Sequence, residues 1–241
     1  MSAQMEQIKL TLEALKIPEK YKYSISRFSH PKIEEKYGEM NLVTIKLKNP
    51  EGRPLLMIPG YSFRSFNDML TKLFEAIGSV ENKYSVLYAV NWGETIKVMT
   101  KSIGEGLPDA ERFIKQDVFR EEIASVLDKC IRSPELELKN FTVVSKSAGG
   151  GVSFFLAGIN TEIKILLVCC PGITNKGTSV AGRKDLVIKL AWNKDDDDIP
   201  SENHKEIMAK LKSQGNNVEY FEYPSGGHEL NPQFLKDTEH V

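Results

Sequence analysis

Four short stretches of this 241-residue sequence carry side chains able to do chemistry near neutral pH. Ser147 lies in a run of small residues, Ser145-Lys146-Ser147-Ala148-Gly149-Gly150-Gly151. Asp195, Asp196, Asp197 and Asp198 stand in a row. His228 follows Gly226-Gly227, and Tyr61 and Ser62 follow Pro59-Gly60. A serine hydroxyl is a weak nucleophile and needs a neighbouring base to take its proton. Histidine, with a reference pKa near 6.5, is the side chain suited to that task. The same residues also have plainer uses. Ser147 could fill a tight turn, and the aspartates a solvated loop with weak cation affinity. Gly149-Gly150-Gly151 could cradle a phosphate at a helix start. The chain has neither G-x-x-x-x-G-K-[ST] nor G-x-G-x-x-G, so nucleotide binding is the weaker reading. Cys130, Cys169 and Cys170 form neither a disulfide framework nor a metal-ligand spacing.

These stretches sit at the ends of apolar segments. Residues 141–144 (FTVV) read as a buried strand, and residues 152–157 as a helix packed back on the sheet. Ser147 is the tip of the turn between them. Residues 55–58 (LLMI) form a short unbroken apolar run, as expected of a central strand, and end at Pro59-Gly60-Tyr61-Ser62. Further strands are expected over 84–90, 163–170, 185–192 and 218–223. Helices are expected over 5–15, over 117–131 with Val118, Phe119, Ile123, Val126, Leu127 and Cys130 on one side, and over 204–211. Phe66, Met69, Leu70 and Leu73 line another. Residues 21–28 and 40–48 alternate in polarity and predict an antiparallel pair at one sheet edge, with one face solvated. Residues 94–116 give no readable pattern.

Strands separated by helices predict an α/β fold: a mostly parallel central sheet with helices on both faces and antiparallel N-terminal strands at one edge. No repeat or low-complexity linker divides the chain, so residues 1–241 are read as one domain, with the N-terminal helix and edge strands over about 1–50 and the core over about 51–235. In such sheets ligands gather outside the carboxyl ends of the strands. Composition bounds the function. With 32 basic and 33 acidic residues, bulk attraction to nucleic acid or an anionic membrane is not implied. The 41% hydrophobic and 27% charged content is ordinary for a soluble globular protein. No apolar run approaches the roughly 20 residues needed to span a bilayer. The first residues lack a signal-peptide pattern, so a cytoplasmic location with reduced, buried thiols is expected.

The chain resembles the α/β-hydrolases over roughly residues 40–235. Ser145-Lys146-Ser147-Ala148-Gly149 is similar to G-x-S-x-G, with serine replacing the first glycine. Residues 193–200 resemble the family's acid loop, where an acid sits four residues before a proline; that spacing selects Asp196, with Asp195 the rival if the register differs. Gly226-Gly227-His228 resembles the histidine loop, and Pro59-Gly60-Tyr61 the oxyanion loop. The order Ser147, Asp196, His228 matches the family's order of nucleophile, acid and base.

The resemblance implies a serine hydrolase cleaving a carboxylic ester or thioester through an acyl-enzyme, without a cofactor or metal. Ser147 would attack, His228 would move the proton, and Asp196 would orient His228. The backbone N–H groups of Tyr61 and Ala148 would bind the oxyanion. The substrate would be a small ester or an acyl group on a larger partner. Residues 171–184 are too few for a separate cap, so an open site is expected unless residues 93–116 cover it. Lys146 is expected to expose its ammonium near the site, and His30, His204 and His240 to lie at the surface. A non-catalytic binding or regulatory protein is the rival reading, fed by Ser145 at the elbow; a serine peptidase is the third.

Overall fold

The computed structural model describes residues 2–27, 39–60, 63–92, 109–134, 136, 138–172, 179–199 and 201–238. Helices α1 (Ala3–Ala14) and α2 (Ile17–Lys20) precede strands β1 (Tyr23–Arg27), β2 (Asn41–Lys46) and β3 (Arg53–Ile58). Helices α3 (Phe63–Glu75) and α4 (Ile77–Lys83) lead to β4 (Tyr84–Asn91), and α5 (Asp109–Ile131) to β5 (Phe141–Lys146). Then come α6 (Ala148–Ile159), β6 (Ile163–Cys169), β7 (Val187–Asn193), α7 (Ser201–Ser213), β8 (Asn217–Tyr223) and α8 (Pro232–Asp237).

The strands form an eight-stranded sheet in the order β1-β2-β4-β3-β5-β6-β7-β8. β1 and β2 are antiparallel to their neighbours; β4, β3, β5, β6, β7 and β8 run parallel. The order explains where a site belongs. From β3 the chain crosses to β4 on one side, and from β5 it crosses to β6 on the other. Both crossovers are right-handed by the general rule, so α3 and α6 lie on opposite faces. The carboxyl ends of β3 and β5, adjacent in the sheet, are therefore left with a crevice between the departing chains. β5 is buried along its whole length because helices cover both faces there. The expected solvated face is seen on β1, whereas Asn41, Leu42 and Val43 of β2 are all buried.

Two expectations about helix residues fail. Val118 is exposed, while Phe119, Ile123, Val126 and Leu127 of α5 are buried. The stripe advances by four and three residues from Phe119, and Val118 lies about 100° off it. His204 is buried, not at the surface, its ring stacked on Trp192 with centroids 3.4 Å apart. Burial pushes its pKa down to about 4, against the weaker upward pull of Asp196 and Glu222. The folded value lies below the ordinary 6.5, so this contribution to stability is complete above pH 6.5 and is lost as pH falls through about 4. Urea unfolding of the protein and of His204→Phe between pH 7 and 4 checks this: the wild type should lose more stability on acidification, and parallel curves would contradict it.

Candidate functional site

Ser147 lies between β5 and α6 at φ 54°, ψ −126°, a backbone conformation that non-glycine residues rarely adopt. Such a residue stores about 1–3 kcal/mol of strain and persists only where its surroundings enforce it. Here the enforcement is explicit. The Ser147 N–H donates to Cys169 O at 3.2 Å, and the Ser147 carbonyl accepts from Gly150 N at 2.9 Å and Gly172 N at 3.0 Å. The turn also needs Gly149. A Cβ there would come within 2.3 Å of the carbonyl oxygens of Ile58 and Pro59, so α6 and the end of β3 can meet only at a glycine. Gly149→Ala should force them apart, cost at least about 1–3 kcal/mol in urea unfolding, and disturb the Ser147 turn.

Ser145, where the motif has glycine, is accommodated rather than strained. Its buried hydroxyl lies 2.9 Å from Ser153 Oγ, and the Ser153 hydroxyl donates to Gly150 O at 2.7 Å. With the Ser153 proton so committed, Ser145 is the donor in the pair. The polar atom that this position acquires is thus satisfied within α6.

Ala148 is the first residue of α6, so its N–H has no intrahelical acceptor. Gly60 lies beside the turn: a Cβ on Gly60 would be 3.5 Å from Ser147 Cβ. Gly60 is held by Ser65 Oγ, which accepts from its N–H at 2.9 Å, and by Trp92 Nε1, which donates to its carbonyl at 2.8 Å. Tyr61, the other expected oxyanion donor, and Ser62 lie outside the described residues, as do residues 93–108 of the segment that could cover the site, and His30 and His240.

The loops expected to carry the acid and the histidine follow β7 and β8. His228 Nδ1 is 2.9 Å from Asp196 Oδ2 and 3.1 Å from Oδ1. Asp196 Oδ1 also accepts from the N–H groups of Asp198 and Ile199, both at 3.0 Å. Burial by itself pushes the Asp196 carboxyl up, but hydrogen bonds from His228, the Cys170 thiol and the Ile199 amide outweigh it and hold its pKa below the ordinary value. An ionised Asp196 makes Nδ1 the protonated nitrogen of a neutral His228, leaving the Nε2 lone pair free. Asp195 does something else: its carboxylate accepts from Gly227 N at 2.7 Å and Gly226 N at 3.2 Å and so shapes the histidine loop.

Several residues that hold this arrangement carry no sequence signal of their own. Asn193 donates to the carbonyls of Gly227 and Glu229 at 2.8 and 3.0 Å, and Asn231 donates to Asn193 Oδ1 and Ser225 O. Lys146 is buried, contrary to expectation, and pairs with Glu229 at 2.8 Å. That pair joins the residue before Ser147 to the residue after His228. Arg120, also buried and paired with Asp117 at 2.8 Å, lies beside Gly172, as does the Ala148 N–H. The Ser147 hydroxyl itself makes no hydrogen bond to His228 among the described residues. Bonds of this kind are often long until substrate is bound.

Comparison with solved structures identifies the architecture. A carboxylesterase from Bacillus cereus superposes with a TM-score of 0.59 at 17% identity, covering 87% of this chain and 95% of the other. The fold is that of the α/β-hydrolases. A putative α/β-hydrolase from Agrobacterium tumefaciens has a TM-score of 0.59 at 15% identity, with 90% and 93% covered. A ferulic acid esterase from the anaerobic fungus Anaeromyces mucronatus has a TM-score of 0.59 at 11% identity, with 92% and 89% covered. No protein-family model matches the sequence, and no curated protein matches it. On this fold Ser147 lies in the turn between β5 and α6, and Asp196 and His228 lie in the loops after β7 and β8. No helix among the described residues is long and apolar enough to cross a membrane.

Proposed function

We propose that this α/β-hydrolase-fold protein is a serine hydrolase that cleaves a carboxylic ester or thioester through an acyl-enzyme. The observation that carries the reading is the contact of His228 Nδ1 with both oxygens of Asp196, which in a neutral imidazole puts the proton on Nδ1 and turns Nε2 into an acceptor, on the loop tied to the turn at Ser147 through Lys146 and Glu229. In this reading Ser147 Oγ attacks the acyl carbon while His228 Nε2 takes its proton. The Ala148 N–H, at the positive end of α6, and the Tyr61 N–H stabilise the oxyanion. His228 then gives the proton to the departing alcohol or thiol, and water repeats the sequence to release the acid.

The substrate is a small ester or an acylated partner. β6 ends at Cys169 and β7 begins at Val187, which leaves little chain for a cap between them. The three free thiols suit a reducing compartment such as the cytosol. The likeness to a carboxylesterase and a ferulic acid esterase supports the reaction class and does not choose the acyl group. The unmade Ser147–His228 hydrogen bond favours one other reading, a binding protein on the same fold.

A panel of nitrophenyl esters of increasing acyl length tests the proposal. A burst of nitrophenol approaching one equivalent, followed by slower turnover, is the expected acyl-enzyme signature. Folded protein inert across the panel, and toward thioesters, would favour the binding reading.

A further inference from the structure

Cys170, the residue after β6, lies in the left-handed region at φ 46°. That turn places its thiol beside the Asp196–His228 pair instead of in the sheet. One ligating atom from each of Cys170, Asp196 and His228 lies within 4.8 Å of the other two. Asp196 and Cys170 are buried, and the His228 side chain, 20% exposed, opens the group to solvent. Sulfur, imidazole nitrogen and carboxylate oxygen are the three donor types that zinc accepts. Bonds of about 2.0–2.3 Å to a tetrahedral ion place ligand atoms roughly 3.3–3.8 Å apart, so the widest separation must close by at most about 1–1.5 Å while the His228–Asp196 contact at 2.9 Å opens slightly. The three residues come from the ends of three segments, and nothing in their sequence spacing marks them.

We propose that Cys170, Asp196 and His228 form an inhibitory binding site for a thiophilic divalent cation such as Zn²⁺, with the fourth position left to water. Ligation by a neutral imidazole and a thiolate conserves charge and protons as follows. The thiol proton leaves to solvent, and the His228 proton moves from Nδ1 to Nε2 as Nδ1 binds the metal. A protonated Nε2 cannot take the Ser147 proton, so the cation switches off the chemistry proposed above. The consequence for activity rests on that proposal; the binding does not. The thiolate selects zinc, cobalt and cadmium over Mg²⁺ and Ca²⁺, which prefer oxygen.

Co²⁺ titration of metal-free protein is the test. One equivalent should produce a thiolate-to-cobalt charge-transfer band in the near ultraviolet. Zn²⁺ should bleach that band and, over the same concentration range, abolish ester turnover in a manner reversed by a chelator. Cys170→Ala and Cys170→Ser should lack the band, and Cys169→Ala should keep it. No band in the wild type, or a band that survives both Cys170 variants, overturns the site. Serine labelling by a fluorophosphonate without metal separates the two readings. Labelling without a cobalt band removes the metal site alone, and a Cys170-dependent band without labelling removes the hydrolase reading alone.

Discussion

Ser147→Ala is expected to lower ester turnover by about 10⁴–10⁶ while leaving the fold intact. If Ser147 is the nucleophile, the remaining rate comes only from oxyanion donors and binding, which act without covalent chemistry. Stability should hardly change, because alanine at φ 54° meets the same Cβ conflict that serine does. Ser147→Gly removes that conflict. It should abolish turnover equally and raise stability, by up to the roughly 1–3 kcal/mol that such strain costs. Measured together, kcat and urea midpoints separate a strained functional residue from a turn filler. A turn filler would give full activity in the alanine variant.

Asp196→Asn should lower kcat by about 10⁴, and Asp195→Asn by no more than about tenfold. Asp196 faces the His228 ring at 2.9 and 3.1 Å and fixes the proton on Nδ1. An amide in its place can present its NH₂ to that nitrogen, stabilise the other tautomer and leave Nε2 protonated. Asp195 instead accepts from the backbone of Gly226 and Gly227. An asparagine oxygen can keep one of those bonds, so the loss is that of a charge-assisted hydrogen bond, about 1–2 kcal/mol. Equal effects from the two variants would mean that Asp196 acts only through loop shape. The reverse order would move the acid to Asp195.

Much of this arrangement was legible because strand ends announce themselves. β5 is a run of apolar and β-branched residues that stops at small ones, and that pattern put Ser147 at the carboxyl edge of the sheet, whereas Cys170 reads only as a buried thiol. The acid four residues before Pro200 distinguished Asp196 from its neighbours. What stayed hidden depends on contacts distant in sequence. Lys146 reads as an exposed ammonium until Glu229, 83 residues away, is seen to meet it. His204 reads as a surface residue of α7 until Trp192 of β7 is found under its ring. Ser145 reads as a flaw in the elbow until Ser153, two turns into α6, accepts its proton. Val118 is a different failure, since strict helical spacing from Phe119 already excluded it from the buried stripe.

A serine activated as a nucleophile reacts with phosphorylating agents that leave ordinary serines untouched. Treatment of the folded protein with a fluorophosphonate, followed by intact and peptide mass spectrometry, tests Ser147 for that activation most directly. One adduct per chain is expected, located on Ser147, formed by wild type and Asp195→Asn, and absent from Ser147→Ala. Folded wild-type protein that remains unlabelled, or an adduct that persists in Ser147→Ala, would contradict a nucleophilic Ser147.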